Sequence, residues 1–204
     1  MNLAYCYRLP VRREKGVWYR ALQLRFLSSA ASTAYTKKIS SRFNVGKGAN
    51  PQYRILYLAE NQQVALFEVQ ALFGSPMTPG GIVAQPRSAW AVLNLPVDLQ
   101  QVADLTAAVQ HGPKKLETSA QELTGDWRGY QLRSLATSIT GPTGVAPTQE
   151  LGAALYAVPD LEGFRTYSAK LPDQMVLVVF PDKLQAGSFV EFIDPATGQT
   201  IRVN

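Results

Sequence analysis

At 204 residues, with 46% hydrophobic and 17% charged side chains, the chain has the composition of one globular domain with a sizeable core and not of a disordered segment. Twenty Lys and Arg against fifteen Asp and Glu leave a net charge of +5, a mild excess compatible with nucleic acid, a phosphate-bearing small molecule or an acidic partner. A single cysteine, Cys6, and a single histidine, His111, exclude an internal disulfide framework, a cysteine-built zinc knuckle and multi-histidine metal sites.

His111 precedes Gly112, Pro113, Lys114 and Lys115, so it reads as a solvated loop histidine and a poor centre for Ser-His-Asp or Cys-His catalysis. Residues 1–16 carry Arg8, Arg12, Arg13 and Lys15 and read as a basic N-terminal lead-in to a domain spanning 17–204. Arg8 and Pro10 interrupt the opening stretch before a signal-peptide core develops, and no run approaches the roughly 20 apolar residues of a membrane span. A cytoplasmic location without membrane contact is therefore expected.

Val17 to Leu22 reads as a strand that sets Arg20 among core-type neighbours. The plainest role for Arg20 is a surface arginine whose stem covers apolar side chains. Residues 28–41 are small and polar, a loop or weak helix. They lead to Ser41-Arg42-Phe43-Asn44 and then to Gly46-Lys47-Gly48, which lacks the spacing and the following Ser or Thr of a P-loop and reads as a turn.

Residues 54–73 read as a strand running into a helix. Ile55 to Leu58 suit a strand buried on both faces, Asn61 offers an N-cap, and the helix would run from Gln62 to Phe73 with Gly74 and Pro76 as its stop. Glu68 sits inside this apolar pattern. A carboxylate there must be solvated, paired or held in a site, because burying it alone is costly. Residues 74–88 form a Pro- and Gly-rich connector, long enough for a lid or a partner surface.

Trp90 to Val97 reads as a strand ended by Pro96. Residues 104–126 have weak helical character. A helix is predicted over 126–138, with Trp127 buried and Asp126 or Thr124 as its cap, and a second from Thr148, acting as cap, through Val158. The last third favours strands at 163–168, 175–180, 189–193 and 200–203. The prediction is an α+β single domain with a mixed or antiparallel β-sheet core flanked by helices.

Four segments, YRAL at 19–22, SRFN at 41–44, LYLAENQQVALFEV at 56–69 and GFRTYSA at 163–169, together resemble the RES domain family, bacterial toxins of toxin-antitoxin modules named for an Arg, a Glu and a Ser. The match runs in order from about Trp18 to about Phe180. The resemblance implies an ADP-ribosyltransferase-like fold, with NAD as a substrate and neither a true cofactor nor a metal. It identifies Arg20 as the family's arginine, Glu68 as its glutamate and Ser168 as its serine, with Tyr57 as an active-site tyrosine and Arg42 as the arginine of an Arg-Phe/Trp-Asn segment.

Breaking the nicotinamide–ribose bond passes through an oxocarbenium-like centre. Glu68 would bind the ribose hydroxyl and stabilise the developing charge, and Arg20 and Arg42 would hold the pyrophosphate. Tyr57 would stack on nicotinamide, and Ser168 would orient the nicotinamide end or Glu68. The implied activity is hydrolysis or phosphorolysis of NAD; the alternative is transfer of ADP-ribose to a specific protein. The implied partners are NAD, phosphate or a protein acceptor, and a cognate DNA-binding Xre-type antitoxin, through which alone nucleic acid would be met. A reading from a different class makes Lys37, Lys38, Arg42 and Lys47 a basic stripe of a non-catalytic nucleic-acid-binding module.

Overall fold

The computed structural model describes residues 1–75, 77–85, 89–106, 116–132, 144–194 and 197–203; His111 lies outside them. Among the described residues there are nine strands: β1 (Val11–Gln23), β2 (Leu56–Ala59), β3 (Leu72–Gly74), β4 (Ile82–Ala84), β5 (Trp90–Asp104), β6 (Gly163–Tyr167), β7 (Met175–Val179), β8 (Phe189–Ile193) and β9 (Thr200–Arg202). Four α-helices accompany them: α1 (Gln62–Glu68), α2 (Ala120–Thr124), α3 (Arg128–Leu132) and α4 (Pro147–Ala157).

Seven strands form one sheet in the order β1-β2-β7-β6-β5-β8-β9. Only β5 and β6 run parallel. Because β1 also pairs with β5 along most of its length, the first five strands of that order close into a ring. The weak seam of the ring is β1–β2, joined at the single register pair Tyr19↔Ala59. The predicted α+β class, with a mixed sheet flanked by helices, is the one observed.

Side chains alternate across a strand, and this divides the core in two. Ala21, Ala59, Phe164, Val176 and Val178 pack with Val64 and Phe67 of α1 and Leu151 and Leu155 of α4. Trp18, Leu22, Leu56, Leu58, Leu177 and Val179 pack on the other face with Val190 and Phe192 of β8. Strands β2 and β7 feed both clusters, which is why their sequences are unbroken apolar runs.

Several predicted boundaries shift, each for a physical reason. Residues 1–16 are built into the domain: β1 begins at Val11, and Cys6 and Leu9 belong to the core. Strand β5 continues through Pro96, which faces Val17 of β1 at a point where β5 has no partner along its second edge, so the missing N–H is tolerated. Helix α1 ends at Glu68 instead of Phe73. Ala71 N–H closes onto Leu66 O at 2.8 Å, Gln70 takes a positive φ of 60°, and Leu72 to Gly74 pair with Ile82 to Ala84 as a ribbon. Val, Leu and Phe suit a strand as well as a helix, and the ribbon settles the choice. Part of the predicted 74–88 connector is thus β4.

Helix α4 starts at Pro147 with Ala146 ahead of it. Proline needs no N–H partner in the first turn, so Thr148 is inside the helix and is not its cap. Of the helix predicted over 126–138, α3 is the described part and residues 133–138 lie outside the described residues; Asp126, two residues ahead of α3, accepts the Arg128 N–H at 3.0 Å.

Candidate active site

The opening at the β1–β2 seam is a cleft of about 740 Å³, within the size range of small-molecule sites. Its two walls are Tyr19 to Gln23 of β1 and Leu56 to Ala59 of β2 with Ile55 just ahead of it, the stretches that diverge beyond Tyr19↔Ala59. Tyr57 lies on the same sheet face as Ala59 and Tyr19, and Arg20 lies on the opposite one. In a continuous sheet they would not share a site. Here the strands part, and Arg20, Arg42, Tyr57 and Glu68 all line the same cavity.

Glu68 is delivered by α1. Asn61 caps the helix by accepting the Val64 N–H at 2.9 Å, and Val64, Ala65 and Phe67 anchor its buried side. Glu68, the last helical residue, then projects to the turn after β6. Its Oε1 accepts the Ser168 hydroxyl proton at 2.5 Å and the Ala169 N–H at 3.1 Å. Ser168 Oγ in turn accepts the N–H groups of Lys170 and Leu171, both at 3.1 Å. With both lone pairs engaged, the hydroxyl has only its proton left to give, and that proton points at Glu68. Glu68 Oε2 accepts no hydrogen bond among the described residues.

Arg42 is 5% exposed, and neither Nη1 nor Nη2 has a hydrogen-bond partner among the described residues. Burial pushes its pKa down from the usual arginine range, an effect opposed by the negative charge of Glu68 and by Tyr57. Its guanidinium lies over the Phe43 ring, 4.8 Å from the centroid. A buried guanidinium without acceptors is costly. It marks a place where an anionic ligand would satisfy the group.

Tyr57 is a wall and a brace. Its hydroxyl accepts the Phe43 N–H and bonds Ser41 Oγ, each at 3.0 Å, and its ring stacks against Phe43 at 6.4 Å between centroids. Burial raises the phenol's pKa, offset by the Ser41 hydrogen bond and by Arg42, so it is neutral at ordinary pH.

Arg20 lines the cleft and forms no hydrogen bond or ion pair with Glu68. It donates Nη1 to Ala30 O at 2.7 Å and Nη2 to the Tyr35 hydroxyl at 3.0 Å. Those two bonds leave three of its five N–H groups free for a ligand.

Sequence reasoning missed part of the site. Arg25, Arg128 and Lys170 also line the cleft, giving five cations against the two carboxylates Glu68 and Asp126. None of the five forms a salt bridge with a carboxylate among the described residues, whereas Arg12, Arg13, Lys37, Arg54 and Arg165 elsewhere all do. Trp127, expected in the core, is half-buried in the cleft wall with Arg128 over its ring at 5.4 Å, and Arg25 covers Phe26 at 4.7 Å. The readable signal was the pairing of an arginine with an adjacent aromatic, Arg25-Phe26 and Trp127-Arg128. Such platforms attract flat, charged ligands.

No curated protein matches the chain. Among solved structures, a crystal structure of the M. tuberculosis MbcT-MbcA toxin-antitoxin complex aligns with a TM-score of 0.60 over 99% of this chain and 91% of that one, at 15% sequence identity. A likeness at that identity speaks for the fold alone. The RES domain model matches residues 17–196, a span that includes Arg20, Arg42, Tyr57, Glu68 and Ser168, and the chain belongs to the RES domain family.

Proposed function

We propose that the chain is an enzyme that breaks the nicotinamide–ribose bond of NAD, with water or phosphate as acceptor, and that it acts as the toxin of a toxin-antitoxin pair. The observation that carries this reading is the pairing, in one cleft, of a carboxylate clamped by Ser168 and Ala169 with a buried guanidinium, Arg42, whose Nη atoms lack an acceptor among the described residues. A dinucleotide supplies what each lacks: a ribose that turns cationic for the first, a pyrophosphate for the second.

In the proposed reaction the electron pair of the C–N bond departs with nicotinamide, which leaves neutral and needs no proton. The ribose carbon becomes oxocarbenium-like. Glu68, fixed through Oε1, turns Oε2 toward the ribose hydroxyl and the developing charge. A carboxylate about 4 Å from a unit positive charge gains roughly 4 kcal/mol at an effective dielectric near 20, about three powers of ten in rate. Arg42 binds the pyrophosphate, with Arg20's remaining N–H groups beside it. Tyr57, its hydroxyl already committed, offers the ring face not covered by Phe43 to nicotinamide. Water, which gives up one proton to solvent, or an anionic phosphate oxygen then bonds to the ribose carbon. No step requires a metal.

The nucleic-acid reading loses two of its four basic residues, since Lys37 pairs with Asp182 at 3.7 Å and Arg42 is buried. The M. tuberculosis structure that aligns is of a toxin with its antitoxin, which motivates a protein antitoxin as this chain's partner. The deciding experiment incubates the protein, freed of any co-purifying antitoxin, with NAD, with and without phosphate, and resolves the products by mass spectrometry. Nicotinamide with ADP-ribose, or with its phosphate, is expected. Label transferred to a protein would replace this reading by ADP-ribosyl transfer, and NAD left intact would remove it.

A further inference from the structure

Arg42 poses a positioning problem. Its Nη atoms have no hydrogen-bond partner among the described residues, and the ring it lies over, Phe43, belongs to the same segment, so the place of the guanidinium follows from the place of that segment. That backbone is held from the far end of the chain. Gln149, fully buried on α4, directs its Nε2 at three acceptors of the Arg42 segment: Ser41 O at 2.9 Å, Ser40 Oγ at 3.0 Å and Asn44 O at 3.3 Å. Its Oε1 is occupied by the Ala146 N–H at 3.1 Å, so the amide's orientation is fixed with the donors toward the segment.

The same segment is gripped from the cleft side by the Tyr57 hydroxyl, through Phe43 N–H and Ser41 Oγ. Gly152, one turn beyond Gln149, lets the helix approach closely: a Cβ there would stand 2.0 Å from Phe43 O. Arg42 therefore lies between two brackets, one on β2 and one on α4.

We infer that Gln149 is a positioning residue for Arg42 and sets the cleft's affinity for the pyrophosphate of its dinucleotide. This rests on the reading in which Arg42 binds that group. Gln149 touches no ligand. It acts by holding a segment whose functional side chain has no hydrogen-bonding anchor outside that segment among the described residues.

The test is a double-mutant cycle on the full chain, with ADP-ribose binding followed by calorimetry and NAD cleavage by product formation. Gln149→Met keeps the length of the side chain and removes its donors. Gln149→Glu keeps the acceptor for Ala146 N–H while removing the same donors, and serves if the first variant does not fold. Each is expected to weaken ADP-ribose binding by about 10- to 100-fold, the loss typical of breaking buried hydrogen bonds. Arg42→Met is expected to do the same, and the Gln149 change made on top of it to add less than about twofold, because its only route to the ligand is already gone. Cleavage of nicotinamide riboside, which has no pyrophosphate, should fall by a smaller factor in Gln149→Met than cleavage of NAD does. A general loss of structure would lower both by the same factor.

Unchanged ADP-ribose affinity in both Gln149 variants overturns the inference, as do losses that multiply in the double variant. Those outcomes leave the reading of the cleft intact. A parent protein that binds neither ADP-ribose nor NAD removes that reading and the inference with it.

Discussion

Ser168 and Glu68 stand one hundred residues apart in the chain and 2.5 Å apart in space. The contact joins the end of α1 to the turn that leaves β6. Two backbone N–H groups use up the acceptor capacity of Ser168 Oγ, and the direction of its proton is thereby set. A carboxylate held in this way is preorganised, which is where most electrostatic catalysis originates. Ser168→Ala leaves Glu68 with the Ala169 N–H alone. It is expected to lower kcat by about 10- to 100-fold with little change in KM, read from initial rates of nicotinamide release, and to cost about 1–2 kcal/mol of stability.

Glu68→Gln separates charge from geometry. The amide oxygen still accepts from Ser168 and Ala169, so the melting temperature and ADP-ribose affinity should stay close to those of the parent. Only the charge facing the ribose is lost. Turnover is expected to fall by about three powers of ten. A variant that melts normally and turns over normally would remove the charge of Glu68 from the reaction.

Arg20 forms two structural bonds before any ligand arrives, to Ala30 O and the Tyr35 hydroxyl. Lysine presents a single ammonium and cannot span both acceptors while also meeting a phosphate. Arg20→Lys should therefore weaken NAD affinity by about tenfold or more and lower the melting temperature slightly. Tyr35→Phe removes one of the two bonds and should show a milder form of the same effect on both measurements.

How much of this was legible in the sequence differs between the fold and the site. Strands β2 and β7 could be read because burial on both faces forces unbroken apolar runs, and Asn61 could be read as a cap because its chemistry is local. The end of α1 could not. Val69 to Phe73 are apolar in either conformation, and the decision belongs to the β3–β4 ribbon. Proline in β5 misled for a similar reason: whether a missing N–H matters depends on which edge is paired.

At the site, Glu68 was visible as a charge in an apolar run. Gln149 was not visible, since a glutamine at the start of a helix ordinarily faces water. The seam that lets Arg20 and Tyr57 share a cavity from opposite sheet faces is a property of strand pairing, which no local pattern encodes.

Trp127 provides a direct optical report on the cleft. Trp18 is buried at 5% exposure in the inner core, while Trp90 and Trp127 both line the cavity. NAD or ADP-ribose should change the intrinsic fluorescence of the protein in a saturable way. Trp127→Phe should remove about half of the amplitude, one of the two cleft indoles being lost, while preserving the ring as a stacking surface. An amplitude unaffected by that change, and abolished by Trp90→Phe, would put the ligand at the Trp90 end of the cleft alone.

Arg42 should show a conflict between stability and function. Its burial, with no acceptor for its Nη atoms among the described residues, costs free energy in the unliganded protein, and the lowered pKa has the same cause, burial. For a base whose pKa is depressed by folding, the unfolded chain binds more protons between the depressed value and the usual one, so this group's contribution to stability rises with pH in that window. Arg42→Met removes the charge and keeps an apolar stem against Phe43. It is expected to stabilise the unliganded protein by about 1 kcal/mol and to weaken ADP-ribose binding by about 100-fold. A bound pyrophosphate reverses the sign: it supplies the acceptors that the guanidinium lacks among the described residues, so saturating ADP-ribose should raise the melting temperature of the parent more than that of the Met variant. Thermal melts over a range of ADP-ribose concentrations measure that difference. Equal shifts in the two proteins would mean that the anion is held by some other cation of the cleft.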